Sequence, residues 1–254
     1  HLFSEFTLTS PRGPLTLANR SVIAPMCQYS AHEGQASDWH LMHWGNLLNS
    51  GAGMFIIEAT GVTPTGRITP FCLGLWDDAT AAALDDKLNR ARRLAPHMPV
   101  CIQLAHSGRK GSSAAPWQGG QLLDTAHGGW AIQGPSALAQ LPQEPPPSAL
   151  SVADMVAIKT AFVKAAERAA AMGIDAIELH SAHGYLLHQF LSPIANQRSD
   201  AYGGNFDGRT RFPMEVFQAV RAVFKGALGM RISATDWVDG GWTPEETADF
   251  SLQL

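Results

Sequence analysis

Three ring side chains that can donate or accept protons fall within six positions, His180, His183 and Tyr185, with Gly184 among them. Two imidazoles that reach one oxygen polarise the bond it ends and stabilise negative charge building there. A phenol beside them stays protonated at neutral pH, its unperturbed pKa being about 10, and can act as a proton donor. Two donors and an acid suit addition to an activated double bond. The same histidines could instead ligate a metal, or sit satisfied inside a strand-end loop. Their spacing lacks the helical HExxH pattern, and no Cys, Asp or Glu cluster adjoins them to complete a ligand shell.

The elements that must position these groups are legible as alternating apolar runs and capped helices. Ile174 to Leu179 reads as a buried parallel strand delivering the three rings just past its carboxyl end, and Gly184 permits the turn that follows. Ser21–Pro25, Met54–Ala59, Val100–Leu104 and Met230–Ala234 read as four further strands. Helices are expected from Asp38 to Asn49, from Asp77 to about Leu94, from Ser151 to Met172 and from Pro213 to Phe224. A last helix is capped by Thr243 with Glu246 three positions on. Phe3 to Leu17, turning at Ser10–Pro14, predicts a β-hairpin. Ala105–Leu150 and Gln189–Arg211 are long irregular stretches, and Trp117 and Trp130 favour an ordered, packed form of the first.

Strict βα alternation implies an α/β fold with a parallel sheet and helices outside it. A complete (β/α)₈ barrel typically needs about 250 residues. Here long loops consume the length, and only five units appear within the 254 residues. The expectation is one domain over residues 1–254 that holds the first five units of a barrel and continues beyond them; the other possibility is an open sheet.

Composition is that of an ordinary soluble domain, 45% hydrophobic and 16% charged with a net charge of -4. Nothing in it suggests nucleic acid or an anionic membrane as partner. No apolar run approaches the roughly 18 residues of a membrane span, and no signal-peptide pattern is present. Cys27, Cys72 and Cys101 are scattered, so free thiols and a cytoplasmic location are expected. His1 in place of methionine suggests a trimmed N-terminus.

Other strand ends carry small or polar groups: Cys27 and Tyr29 after strand one, Ala59, Gln103 and Arg231 on strands two, three and five. Cys27 reads equally as a small buried hydrophobe. Arg231 in a core strand is costly unless it pairs with Glu178 or Glu58, or meets an anionic or acceptor-rich ligand. No GxGxxG or Walker loop supports a Rossmann nucleotide site.

The run HSAHGYLLHQFLSP, followed by Asn196-x-Arg198-x-Asp200-x-Tyr202-Gly203-Gly204 and Arg209-x-Arg211-Phe212, resembles the Old Yellow Enzyme family of flavin ene-reductases. Ala24-Pro25-Met26-Cys27-Gln28-Tyr29, Gly51-Ala52-Gly53, Glu58-Ala59-Thr60 and Gln103-Leu104-Ala105-His106-x-Gly108-Arg109 extend the resemblance over nearly the whole chain. Cys27 and Tyr29 resemble the bacterial thermophilic-like subgroup that includes xenobiotic reductases. The resemblance implies a TIM barrel holding FMN, reduced by NADPH or NADH, that passes hydride to an activated alkene, an enone or nitro compound. It implies that His180 and His183 hold the substrate oxygen, Tyr185 supplies the proton and Tyr29 lines the substrate side. Pro25, Met26, Cys27, Ala59, Gln103, His180 and Arg231 would contact the flavin, Arg231 at its N1 and C2 carbonyl region. A homo-oligomer, dimer or tetramer, is implied as well. The Asn196–Phe212 motif is expected to be structural. Barrel phosphate sites follow strands seven and eight, so phosphate anchorage is expected outside these residues. The rival expectations are a barrel metallohydrolase using His180 and His183, and an inactive truncated homologue that cannot hold FMN.

Overall fold

Alternation along the strands sorts the chain into two faces. In the computed structural model, which describes residues 1–95 and 98–254, the elements follow the expected βα order. A hairpin, β1 (Phe6–Leu8) and β2 (Leu15–Leu17), pairs antiparallel. Then come β3 (Val22–Ile23), α1 (Asp38–Leu48), β4 (Met54–Gly61), α2 (Asp78–Arg92) and β5 (Val100–Ala105). The stretch after β5 holds single helical turns and a small parallel pair, β6 (Gln133–Gly134) with β7 (Ser148–Ala149). The chain continues through α3 (Val152–Ala171), β8 (Ala176–Ser181), α4 (Leu186–Leu191), α5 (Phe206–Val223), β9 (Ala227–Ile232) and α6 (Pro244–Ser251).

The main sheet has five parallel strands in the order β3-β4-β5-β8-β9, the curled sheet of a partial barrel. Its outer face carries Phe55, Ile57, Ile102, Leu104, Ile177 and Leu179, packed against Trp44, Leu84, Phe162, Val216 and Val220 of the helices. Each fully buried side chain of this size contributes roughly 1.5–3 kcal/mol. The inner face is divided along its length. At the amino ends Met54, Ile56, Cys101, Ala176 and Ala227 are apolar, and Leu8, Leu15 and Leu17 of the hairpin cover them. Two residues on, the period of a strand brings Glu58, Gln103, Glu178 and Gly229 to the same face, then His180 and Arg231 side by side. The hairpin thus closes the apolar end and leaves the polar end for a ligand.

Local signals explain the helix starts. Asp77, Ser151 and Thr243 each accept a hydrogen bond from the backbone three residues on, as expected. At α1 the cap is Ser37, with His40 reaching back to its N–H, and Asp38 instead lies in the first turn, where its charge favours the helix dipole. Pro213 does not start α5. Asn205 caps it by accepting from Gly208 N–H at 2.9 Å, so Pro213 lies inside the helix. The stretch read as loop from Gln189 holds the end of α4, whose six residues are all buried and so show no amphipathic period. β8 and β9 also differ from expectation. Glu178 pairs with Gly229, so β9 begins before the glycine, and His180 and Ser181 lie inside β8. Trp117 is 69% exposed, whereas Trp130 is tied down by its ring N–H to Thr65 O at 2.9 Å. The Asn196–Phe212 motif is scaffold: Asn196 bridges Phe190 O and Tyr202 O, and Arg209 joins Leu191 O to Glu246 of α6.

Candidate active site

The centre of the polar end is His180, 3% exposed on β8. Its Nδ1 accepts Ala182 N–H at 3.3 Å, so the proton sits on Nε2 and that nitrogen is a donor. The His183 ring lies 5.1 Å away, edge-on, and the Tyr185 ring 4.9 Å away. The sequence pairing of the three rings is therefore real contact.

What holds them there comes from distant segments. His183 has φ +59, a left-handed conformation disfavoured for a side chain with a Cβ. Its N–H donates to Ser233 Oγ at 2.9 Å and its carbonyl accepts Lys110 Nζ at 2.9 Å. The next amide, Gly184 N–H, donates to His188 Nδ1 at 2.8 Å. That fixes the proton of His188 on Nε2, which faces Asp236 Oδ1 at 3.0 Å. Asp236 Oδ2 accepts Ser192 Oγ–H and Trp242 N–H, and Gln189 Nε2 donates to Gly184 O. The turn is clamped from the β5, β9 and α4 sides.

Electrostatics follow from burial. Desolvation, then the neighbouring His183, Arg231, His188 and Lys110, bring His180 down to about 3. Burial, with Arg231 and Lys110, lowers His183 too. Both imidazoles are neutral donors at physiological pH. Burial, with the fields of Cys27, Tyr29 and Cys72, raises Tyr185, so it stays a phenol across the working range.

The remaining expected residues gather at the same end of the sheet. Arg231 is paired in register with His180. It makes neither ion pair nor hydrogen bond among the described residues. The core pairs with Glu178 or Glu58 do not form: Glu178 is taken by Gln103 Nε2 at 2.6 Å and Glu58 accepts Gln28 N–H at 2.9 Å. Burial raises the Glu178 carboxyl, against the Gln103 bond and the nearby Arg231 charge. Cys27 is free, and the neighbouring Cys72 thiol and burial push its thiol up. Tyr29, at φ +50, stands edge-on to Trp117 at 5.4 Å, and burial pushes it up to about 12. Pro25 is half-buried, and Met26 is 69% exposed. Lys110, His188, Ser233 and Asp236 are the residues that sequence reading did not single out. His188 lies within the quoted motif and Lys110 next to Arg109, yet neither spacing signals a contact with Gly184 or His183.

Metal ligation by His180 and His183 needs further side chains to complete the shell. Among the described residues no group of three or more His, Cys, Asp or Glu side chains is arranged to hold a metal ion. A half-buried Arg231 without a partner, beside neutral donors, instead fits an acceptor-rich ring with an electron-withdrawing carbonyl edge.

Parallel strands with polar groups at their carboxyl ends, helices outside and a hairpin beneath define a protein of the (β/α)₈-barrel class. The chain belongs to the NADH:flavin oxidoreductase / NADH oxidase family, whose description residues 2–253 match. It is 42% identical to an NADH:flavin oxidoreductase of Gibberella zeae over 265 residues, covering 98% of this chain and 63% of that protein. It is 40% identical to an NADPH dehydrogenase of Geobacillus thermodenitrificans, covering 100% of this chain and 69% of that one. The chain thus spans about two-thirds of the length of these relatives. Among solved structures it is similar to morphinone reductase, at TM-score 0.79 and 28% identity over 97% of this chain and 66% of the other. Old Yellow Enzyme from a Pichia species superposes at TM-score 0.81 with 25% identity, covering 99% and 65%. Morphinone reductase has also been solved in complex with tetrahydroNAD.

Proposed function

We propose that this chain forms the substrate-binding part of an FMN-dependent NAD(P)H oxidoreductase that reduces activated C=C bonds of α,β-unsaturated carbonyl or nitro compounds. The observation that carries the reading is the packing of the His180 imidazole against both the His183 imidazole and the Tyr185 phenol at the carboxyl end of a barrel strand. His180 and His183 bind the substrate oxygen and draw electron density from the alkene. Tyr185 holds the proton for the α-carbon, and its raised pKa keeps it loaded at neutral pH. Tyr29 lines the substrate side.

Bound FMN would supply the hydride, and the nicotinamide complex of morphinone reductase supports NADPH or NADH as its source. Pro25, Met26, Cys27, Ala59, Gln103, His180 and Arg231 would hold its ring, with Arg231 meeting the carbonyl edge that gathers negative charge on reduction. Its phosphate would be held after strands seven and eight, outside these five. The family resemblance supports a cytoplasmic homo-oligomer, dimer or tetramer. Among the described residues no helix is long and apolar enough to cross a membrane.

The test is the visible spectrum of the full-length protein after gentle purification. Flavin bands that bleach with NADPH or NADH under anaerobic conditions and return on adding 2-cyclohexenone are expected. A protein that stays colourless after added FMN, or bleaches and does not recover with any activated alkene, contradicts the proposal.

A further inference from the structure

We infer that Arg109 and Lys110 form an anion subsite beside Tyr185. It takes the charged tail, phosphate or carboxylate, of a molecule whose reacting end lies at His180 and His183. The inference rests on the oxidoreductase reading and names a second recognition element of that site.

The two cations leave β5 on one helical turn, Gly108–Lys110, fixed by Arg109 N–H to Gln189 Oε1 at 3.3 Å. They form the wall shared by two cavities. One, of about 250 Å³, also meets Tyr29 and Tyr185; the other, of about 280 Å³, also meets His183 and Gly184. A ligand in either cavity therefore lies against a wall that carries both charges.

Neither cation forms an ion pair among the described residues, although both are half-buried. Arg109 Nη1 donates to the carbonyls of Leu138 and Ala139 at 3.2 and 3.4 Å, while its buried Nε has no partner. Lys110 Nζ donates to His183 O alone, leaving ammonium hydrogens free. Burial lowers Arg109 against the pull of the nearby Asp236 carboxylate, and burial together with the Arg109 charge lowers Lys110, whose ammonium lies 5.2 Å from the Tyr185 ring centroid. Each cavity has one carboxylate on its wall, and both are engaged elsewhere. Glu144 accepts Leu141 N–H at 3.3 Å, and Asp236 is taken by His188, Ser192 and Trp242 N–H. A planar guanidinium next to a mobile ammonium matches phosphate or carboxylate oxygens.

Two molecules could bring that anion: the nicotinamide donor through its phosphates, or an alkene through a carboxylate substituent. The FMN-loaded full-length protein and its Arg109→Gln variant separate them. Reduction would be followed with NADPH and with 1-benzyl-1,4-dihydronicotinamide, which lacks phosphate. Reoxidation would be followed with 4-oxo-2-pentenoate and with neutral 2-cyclohexenone. Arg109→Gln should slow one charged partner by about tenfold or more, with both neutral partners within about twofold. Loss with NADPH assigns the subsite to the donor, and loss with the oxo-acid assigns it to the substrate. Equal changes for charged and neutral partners, or no change, overturn the inference. Calorimetric titration with inorganic pyrophosphate reads the subsite without turnover. Binding that weakens in both Arg109→Gln and Lys110→Met supports it, and binding indifferent to both overturns it. A protein that binds pyrophosphate through these residues yet reduces no activated alkene would sink the oxidoreductase reading alone.

Discussion

Two turns leave the carboxyl end of the same sheet, from β3 and from β8, each with a non-glycine residue in the left-handed region, and they are held very differently. His183, at φ +59 after β8, has its amide, its carbonyl and the next amide bonded to Ser233, Lys110 and His188. At Tyr29, φ +50 after β3, the bonds fall on the flanks instead: Gln28 N–H donates to Glu58 at 2.9 Å, Ser30 Oγ–H to Gln28 O at 2.9 Å and Ala31 N–H to Phe71 O at 3.0 Å. A turn bound on every side fixes the direction of its donors, which suits a site that must polarise one oxygen. A turn bound only at its flanks leaves its central residue free to adjust to what lies against it. On this contrast the His183 turn orients chemistry, and the Tyr29 turn shapes access.

The contrast can be broken by cutting each clamp. His188→Leu leaves the Gly184 amide without its acceptor and the Asp236 carboxylate without its ring partner. Lost burial-paired hydrogen bonds cost roughly 1–3 kcal/mol each, so affinity for a phenol that mimics an enolate should fall about ten- to a hundredfold. Titration of the flavin spectrum with such a phenol reads this directly. Glu58→Gln retains an oxygen for the Gln28 amide. It should change the same affinity by less than about threefold, since a neutral acceptor still makes a bond of about 1 kcal/mol. Equal losses in the two variants would mean that the turns are not different in kind.

A smaller effect sharpens the electrostatic half of the comparison. Burial holds His180 down to about 3 and His106 down to about 4, from an ordinary value of 6.5. Between those values the unfolded chain binds protons that the folded one refuses, so stability rises with pH across the window and falls as pH drops below about 6.5. Chemical denaturation of the full-length protein at pH 7 and pH 5 should show lower stability at pH 5. His106→Gln should reduce that difference, and a difference unchanged by it would remove His106 from the account.

Much of this architecture was legible in the residues. Apolar runs marked the five strands, and Asp77, Ser151 and Thr243 marked helix starts because a capping side chain bonds a backbone amide three residues away. Local signals failed where tertiary context decided. α4 shows no polar face because it is buried all round, and β9 extends through Gly229 because pairing with Glu178 holds it there. Pro213 looked like a first helical residue, yet Asn205 had already begun the helix. At the site, the three rings were legible because they are close in sequence. Their clamp was not: Lys110 and Ser233 lie 73 and 50 positions from His183, and no periodicity connects residues across such distances.

The central claim is that Tyr185 is the proton donor of a site whose oxygen binding belongs to His180 and His183. Stopped-flow spectroscopy of Tyr185→Phe in the FMN-loaded full-length protein, with the two half-reactions followed separately, tests it most directly. Flavin reduction by NADPH should match the unaltered protein, while reoxidation by 2-cyclohexenone should slow by about a hundredfold or more, the range of a lost general acid. Reoxidation at an unchanged rate would contradict the claim and leave water as the donor.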